Sequence, residues 1–98
     1  MNLTKTFKDN VIVINYELDN REIEILKTVK KIGYLEFRTS YTHEDITASY
    51  TDIRISETID LYINAFLEHD FYDWHTTYVL TVIAIQYLES LKKRISNT

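Results

Sequence analysis

The chain has 98 residues, 45% of them apolar and 27% charged, with a formal net charge of −4. That is the size and composition of one globular domain, 1–98, rather than of a disordered chain. No stretch reaches the roughly 20 apolar residues of a bilayer span, which excludes a membrane-spanning helix. Cysteine is absent, so thiolate nucleophiles, disulfides and cysteine-based zinc sites are excluded together. Proline is also absent and Gly33 is the single glycine, which excludes glycine-rich phosphate loops and the common nucleotide-binding enzymes. Met1 to Lys8 lacks an apolar run followed by a small-residue cleavage site, so the expected compartment is the cytoplasm. Eight tyrosines among abundant Ile, Asn, Lys and Thr suggest an AT-rich coding sequence of the phage, plasmid or low-GC bacterial kind.

In chain order, the β-branched run Val11-Ile12-Val13-Ile14 predicts a short buried strand, with the chain fraying before Phe7. Asp19 followed by Glu22 is a capping-box pattern, and Ile23, Ile25, Leu26, Val29 and Ile32 form one wide apolar face, predicting a helix over Asn20 to Ile32. Gly33 ends it, and Tyr34-Leu35-Glu36-Phe37 alternates as a brief strand. Thr42 caps an expected second helix through Tyr50, with His43, Glu44 and Asp45 at its positive end. Ser56 caps a third, expected to run to about His69 on Ile59, Ile63 and Phe66. Phe71 to Leu80 reads as an aromatic hairpin, and Thr81 opens a long final helix.

Three strings carry a resemblance. They are Arg21-Glu22-Ile23-Glu24-Ile25-Leu26 leading to Ile32-Gly33-Tyr34-Leu35, Ile55-Ser56-Glu57-Thr58-Ile59 leading to Ala65 through Phe71, and Tyr78-Val79-Leu80-Thr81 leading to Tyr87 through Leu91. In order and spacing, from Leu18 to Leu91, they resemble the winged helix-turn-helix family of small phage, plasmid and bacterial regulators. The resemblance implies a mainly helical α+β winged helix-turn-helix with an N-terminal strand, a short hairpin wing and a long C-terminal helix. It further implies a dimeric transcription or partition-type regulator that binds double-stranded DNA. Asp70 stands where the family has a glycine before the wing, a left-handed position that Asp tolerates, and Tyr50 to Ile55 is a residue longer than the family's compact turn.

Within that reading, Arg54, Ser56 and Asn64 are the candidates for contacting bases, only Arg54 being able to reach guanine bidentately. Arg38, Lys30 and Lys31 are the candidate phosphate contacts, beside Lys27, Lys92, Lys93 and Arg94. Charge opposes the family reading, because from Asp52 to Glu89 seven acids face the single base Arg54. The alternative is an acidic phage or mobile-element inhibitor, of the DNA-mimic or anti-CRISPR type, that occupies the nucleic-acid-binding surface of a protein target. It would use Glu57, Asp60, Glu68, Asp70, Asp73 and Trp74. The apolar stripe Leu80, Ile83, Tyr87, Leu88, Leu91 and Ile95 of the last helix is the expected homodimer interface.

No enzymatic activity, cofactor or small-molecule substrate is expected. No serine sits at a glycine-flanked elbow, and His43-Glu44-Asp45 is better explained as a helix start than as an acid–base pair. His69, Asp70, Asp73 and His75 include metal-ligand types, but their spacing matches no standard site, so they read as solvated residues around Phe71 and Trp74.

Overall fold

The first structural event in the chain is a turn: Asp9 and Asn10 both adopt left-handed backbone, with φ of 53° and 64°. Two successive positive-φ residues match the twist of a two-residue hairpin, and Asp and Asn tolerate that region. The turn joins β1 (Asn2–Lys8) to β2 (Val11–Glu17) in an antiparallel pair registered from Asn2 opposite Glu17 to Lys8 opposite Val11. The computed structural model describes residues 1–38, 45–72 and 74–96, the last three of these as backbone only.

Helix α1 (Asn20–Ile32) forms as its sequence dictates. Asp19 accepts from the Glu22 amide at 2.7 Å while Glu22 Oε1 accepts from the Asp19 amide at 3.1 Å, a reciprocal cap. Gly33 closes it at φ 101°, its amide donating to the Val29 carbonyl at 2.7 Å. Ile25, Leu26 and Val29 are buried, and Lys27, Lys30 and Lys31 are exposed.

A second sheet holds β3 (Leu35–Arg38), β4 (Leu67–Tyr72) and β5 (His75–Leu80), with β5 central in the order β3-β5-β4 and all pairing antiparallel. Between β3 and β4 lie a 3₁₀ turn, Ile55–Thr58, and the short α2 (Ile59–Ile63). The last element is α3 (Val82–Ser96). Its cap is Thr81, whose hydroxyl accepts from the Ala84 amide at 3.3 Å. Among the described residues no helix is long and apolar enough to cross a membrane. The core runs between the three-stranded sheet and the helices, and is built on Ile25, Leu26, Phe37, Ile53, Leu61, Phe66 and Leu67. Phe66 joins the elements through edge-on ring contacts to Tyr16 at 5.4 Å and Tyr87 at 5.8 Å.

The expected mainly helical winged helix-turn-helix is therefore corrected: the described residues form an α+β fold of three helices and five strands in two antiparallel sheets. Three local effects account for the difference. The N-terminal segment does not fray; it supplies a whole strand, β1, because the Asp9-Asn10 turn lets Leu3, Thr4, Lys5 and Thr6 pair with β2. Of the expected second helix, 42–44 lie outside the described residues, and Ile46 to Tyr50 is not helical. The Ala48 amide instead donates to the Ile53 carbonyl at 2.7 Å and the Ile55 amide to Ile46 at 2.8 Å, with Thr47 bridging Arg54. Ile46, Thr47, Thr51 and Ile53 are β-branched, which suits this extended return better than a helix. The expected third helix stops early. The Phe66 amide reaches the Leu61 carbonyl at 2.8 Å and the Ala65 amide reaches Tyr62 at 3.1 Å, a Schellman closure with Ala65 at φ 65°. His69 consequently lies in β4. Asp70, expected at the left-handed position, is an extended strand residue paired with Thr77.

Candidate nucleic-acid interface

Five of the seven lysines, all exposed, lie on two helices far apart in sequence, the other two, Lys5 and Lys8, being on β1. Along α1 the inward positions Ile25, Leu26 and Val29 fix Lys27, Lys30 and Lys31 on the outer side, and Lys30 and Lys31 occupy the last turn, where the helix dipole favours cations. Along α3, Lys92 continues the row of Ala84 and Leu88 one turn further on, and Lys92 and Lys93 are both exposed. The two helices pack together, and Lys27, Lys30 and Lys92 ring one shallow depression of about 310 Å³ floored by Leu88 and Leu91. The lysine stems cover apolar floor while their ammonium groups stay in water. Arg38 is exposed at the end of β3, opposite His75. The side chain of Arg94 lies outside those described.

Two of the three residues expected to contact bases, Ser56 and Asn64, have their polar groups engaged within the chain. Ser56 donates from its amide and its hydroxyl to the two oxygens of Asp45, at 3.0 Å and 2.6 Å, which holds the Asp45 carboxyl below the usual carboxylate range. Ser56 is therefore held by a cap from Asp45 rather than acting as one. Asn64 closes α2, its side-chain amide donating to the Asp60 carbonyl at 2.8 Å. Arg54 is exposed, with one guanidinium nitrogen 4.0 Å from Asp45.

No protein-family model, curated protein or solved structure matches the chain.

The residues of the acidic alternative do not form one set. Glu57 is committed internally: Arg21 donates from Nε to Glu57 Oε1 at 2.8 Å and from Nη2 to Oε2 at 3.1 Å. The Arg54 amide adds a third donor at 2.9 Å. That paired guanidinium, with the amide behind it, pulls the Glu57 carboxyl down to about 2 and raises Arg21 further above its ordinary value. Asp60 is exposed on α2, and Glu68 and Asp70 share one face of β4 with Tyr72. Phe71, Tyr72 and Trp74 are exposed at the tip of the β4–β5 hairpin, and Asp73 lies outside the described residues.

Of the expected dimer stripe, Leu88 is buried in the core, and Leu80, Tyr87 and Leu91 pack against it as partly covered residues. The Tyr87 hydroxyl accepts from the Leu18 amide at 3.1 Å, tying α3 to the start of α1. Ile83 is exposed, beside Val82 and Ile85, and the side chain of Ile95 is outside those described. His75 Nδ1 lies 2.9 Å from Glu36 Oε1, close enough to pair when protonated but out of line for a hydrogen bond. Among the described residues no three metal-type ligands converge.

The Arg21–Glu57 pair was missed by sequence reasoning. Thirty-six positions separate its members, and no local pattern marks a contact of that range. Likewise, the lysines are visible as two clusters in the sequence, but their convergence depends on how α1 and α3 pack.

Proposed function

We propose that the protein is a double-stranded DNA-binding regulator that grips phosphates through the lysine face of α1 and α3. The observation that carries this reading is the convergence of Lys27, Lys30 and Lys92 on one depression, with Lys31 and Lys93 exposed on the same two helices. Phosphate contact supplies most of the affinity of non-specific DNA binding and needs only cations at a workable spacing. The acids of α2 and β4 belong to other elements, and on α1 and α3 the five lysines outnumber the exposed acids Glu24 and Glu89, so a duplex approaching these helices meets a local excess of cations. Because Ser56 and Asn64 are engaged within the chain, base reading is expected to contribute little and affinity to vary weakly with sequence.

The test is fluorescence anisotropy of a labelled random-sequence duplex across a salt series. With three to five lysines neutralising phosphates, log K should fall against log salt with a slope of about −3 to −4.5, losing on the order of a hundredfold between 50 and 200 mM. Lys27→Glu with Lys30→Glu should flatten the slope by about 2. Absence of binding at low salt would overturn the reading.

A second reading has its own observation. Phe71, Tyr72 and Trp74 stand exposed beside Asp70 and Glu68, and aromatic anchors next to carboxylates suit a basic protein surface. On that reading the chain displaces DNA from a nucleic-acid-binding protein, and Trp74→Ala abolishes displacement while the lysine substitutions do not.

A further inference from the structure

We infer that the hairpin β1–β2 is a dimerisation arm whose apolar face closes against a second copy of this chain. Cross-strand pairing puts Leu3, Phe7, Ile12, Ile14 and Tyr16 on one face of the hairpin, with Lys5 among them. The opposite face carries Asn2, Thr4, Thr6, Lys8, Asn15 and Glu17 beside Val11 and Val13 and is the more polar of the two, so the first is the side that calls for cover. Tyr16, at the base, reaches the body of the protein through its ring contact with Phe66. The outer part of the arm has no such cover: Phe7 is 72% exposed, Ile12 64%, Leu3 46% and Ile14 45%.

The arm's reach also shows in the dimensions. The radius of gyration is 15.1 Å and the longest extent 48 Å, against about 13 Å for the radius of a compact chain this long. A two-stranded hairpin standing alone in water is at best marginally stable, so the pairing from Asn2 to Glu17 calls for a surface to rest on.

Area identifies the occupant. At their exposures the four apolar residues present roughly 400 Å², already within the range of the largest patch on a typical monomer. Past Tyr16 the face borders a groove of about 550 Å³ that leads to Ile83 of α3 and is lined by Ile14, Phe66 and Tyr87 together with the polar Thr4, Asn15, Glu17, Gln86 and Ser90. An interface is a little over half apolar, so 400 Å² of apolar surface implies about 700 Å² in all, close to the 800 Å² per partner of a standard association. A two-fold dimer satisfies this with one patch used twice. Lys5 is the one charge within this face, and the whole chain is at −4, so a second copy carries carboxylates in excess. The dimer contact thus rests on the hairpin and the start of α3 rather than on the buried Leu88 stripe.

This inference does not depend on DNA binding, since the lysine face and the arm share no residue. Sedimentation velocity of the full chain from 1 to 200 μM, without nucleic acid, should give twice the 11.7 kDa chain mass. Phe7→Asp with Ile12→Thr should give a single chain with unchanged helical circular dichroism, and Phe71→Asp on the other hairpin should leave the dimer intact. Amide exchange in β1 and β2 should slow with rising concentration for the unaltered protein and not for the arm variant. A wild-type chain monomeric throughout that range would overturn the inference. So would a dimer that survives both arm substitutions.

Discussion

Replacing Arg21 by Met removes the guanidinium that ties α1 to the 3₁₀ turn while keeping the stem that packs beside it. Arg21 holds Glu57 through two short bonds and lies 3.4 Å from both Asp52 and Glu24. Drawing Glu57 from its ordinary 4.5 to about 2 corresponds to roughly 3 kcal/mol if fully shielded from water. The Arg54 amide supplies part of that shift and about a third of each side chain is open to solvent, so the Arg21 pair is worth about 1 kcal/mol. The sign follows from the direction: a carboxyl with a depressed folded-state value stabilises the fold above its unfolded value and ceases to do so as pH falls through the folded one. The deficit of the Arg21→Met variant should be complete above pH 5, shrink below about 4.5, and vanish near pH 2. Urea unfolding followed by circular dichroism at a series of pH values measures it. A deficit below about 0.3 kcal/mol at pH 7, or one unchanged between pH 7 and pH 3, would refute the argument.

Ala65→Gly relieves a left-handed residue at the Schellman closure of α2, and should raise stability by about 0.5 to 1 kcal/mol, read as a higher urea midpoint at constant slope. Leu88→Asp puts a carboxylate into the core, and should cost about 3 kcal/mol or more, so that it appears in thermal melts as an unfolded or strongly destabilised chain rather than as a folded monomer.

How far the sequence could be read depended on whether the deciding contact was local. Helix α1 was legible at both ends, because its capping box spans Asp19 to Glu22 and its stop is the single glycine. The closing cap Thr81 was legible for the same reason. The arm was only half visible: Val11 to Ile14 reads as a buried run, yet it is exposed, and the alternation of Leu3, Lys5 and Phe7 across the Asp9-Asn10 turn was the signal for its partner strand. At Ala65 the sequence misled, since the left-handed position was expected at Asp70 and instead falls on a residue with no preference for it. The candidate site was legible as charge and not as geometry. Nothing near Ser56 announces that Asp45, eleven positions away, takes both of its donors, and nothing in α1 announces which lysines α3 will meet.

Thr81 has a second consequence beyond capping α3. Its hydroxyl donates to the Ala65 carbonyl at 2.6 Å and its amide to Phe66 at 3.2 Å, so the chain leaving α2 and the chain entering α3 are clasped together at the root of the β4–β5 hairpin. The tip around Trp74 joins two paired strands whose ends are already fixed, and doubling the length of such a connection costs only about 0.6 kcal/mol. The tip is thus the exchangeable part, while β4 and β5, with Leu67, Thr76 and Tyr78 buried, stay in the core sheet: it can be lengthened, shortened or rewritten while the helices keep their relative placement, so the chain can acquire a new contact surface there without relearning how to fold.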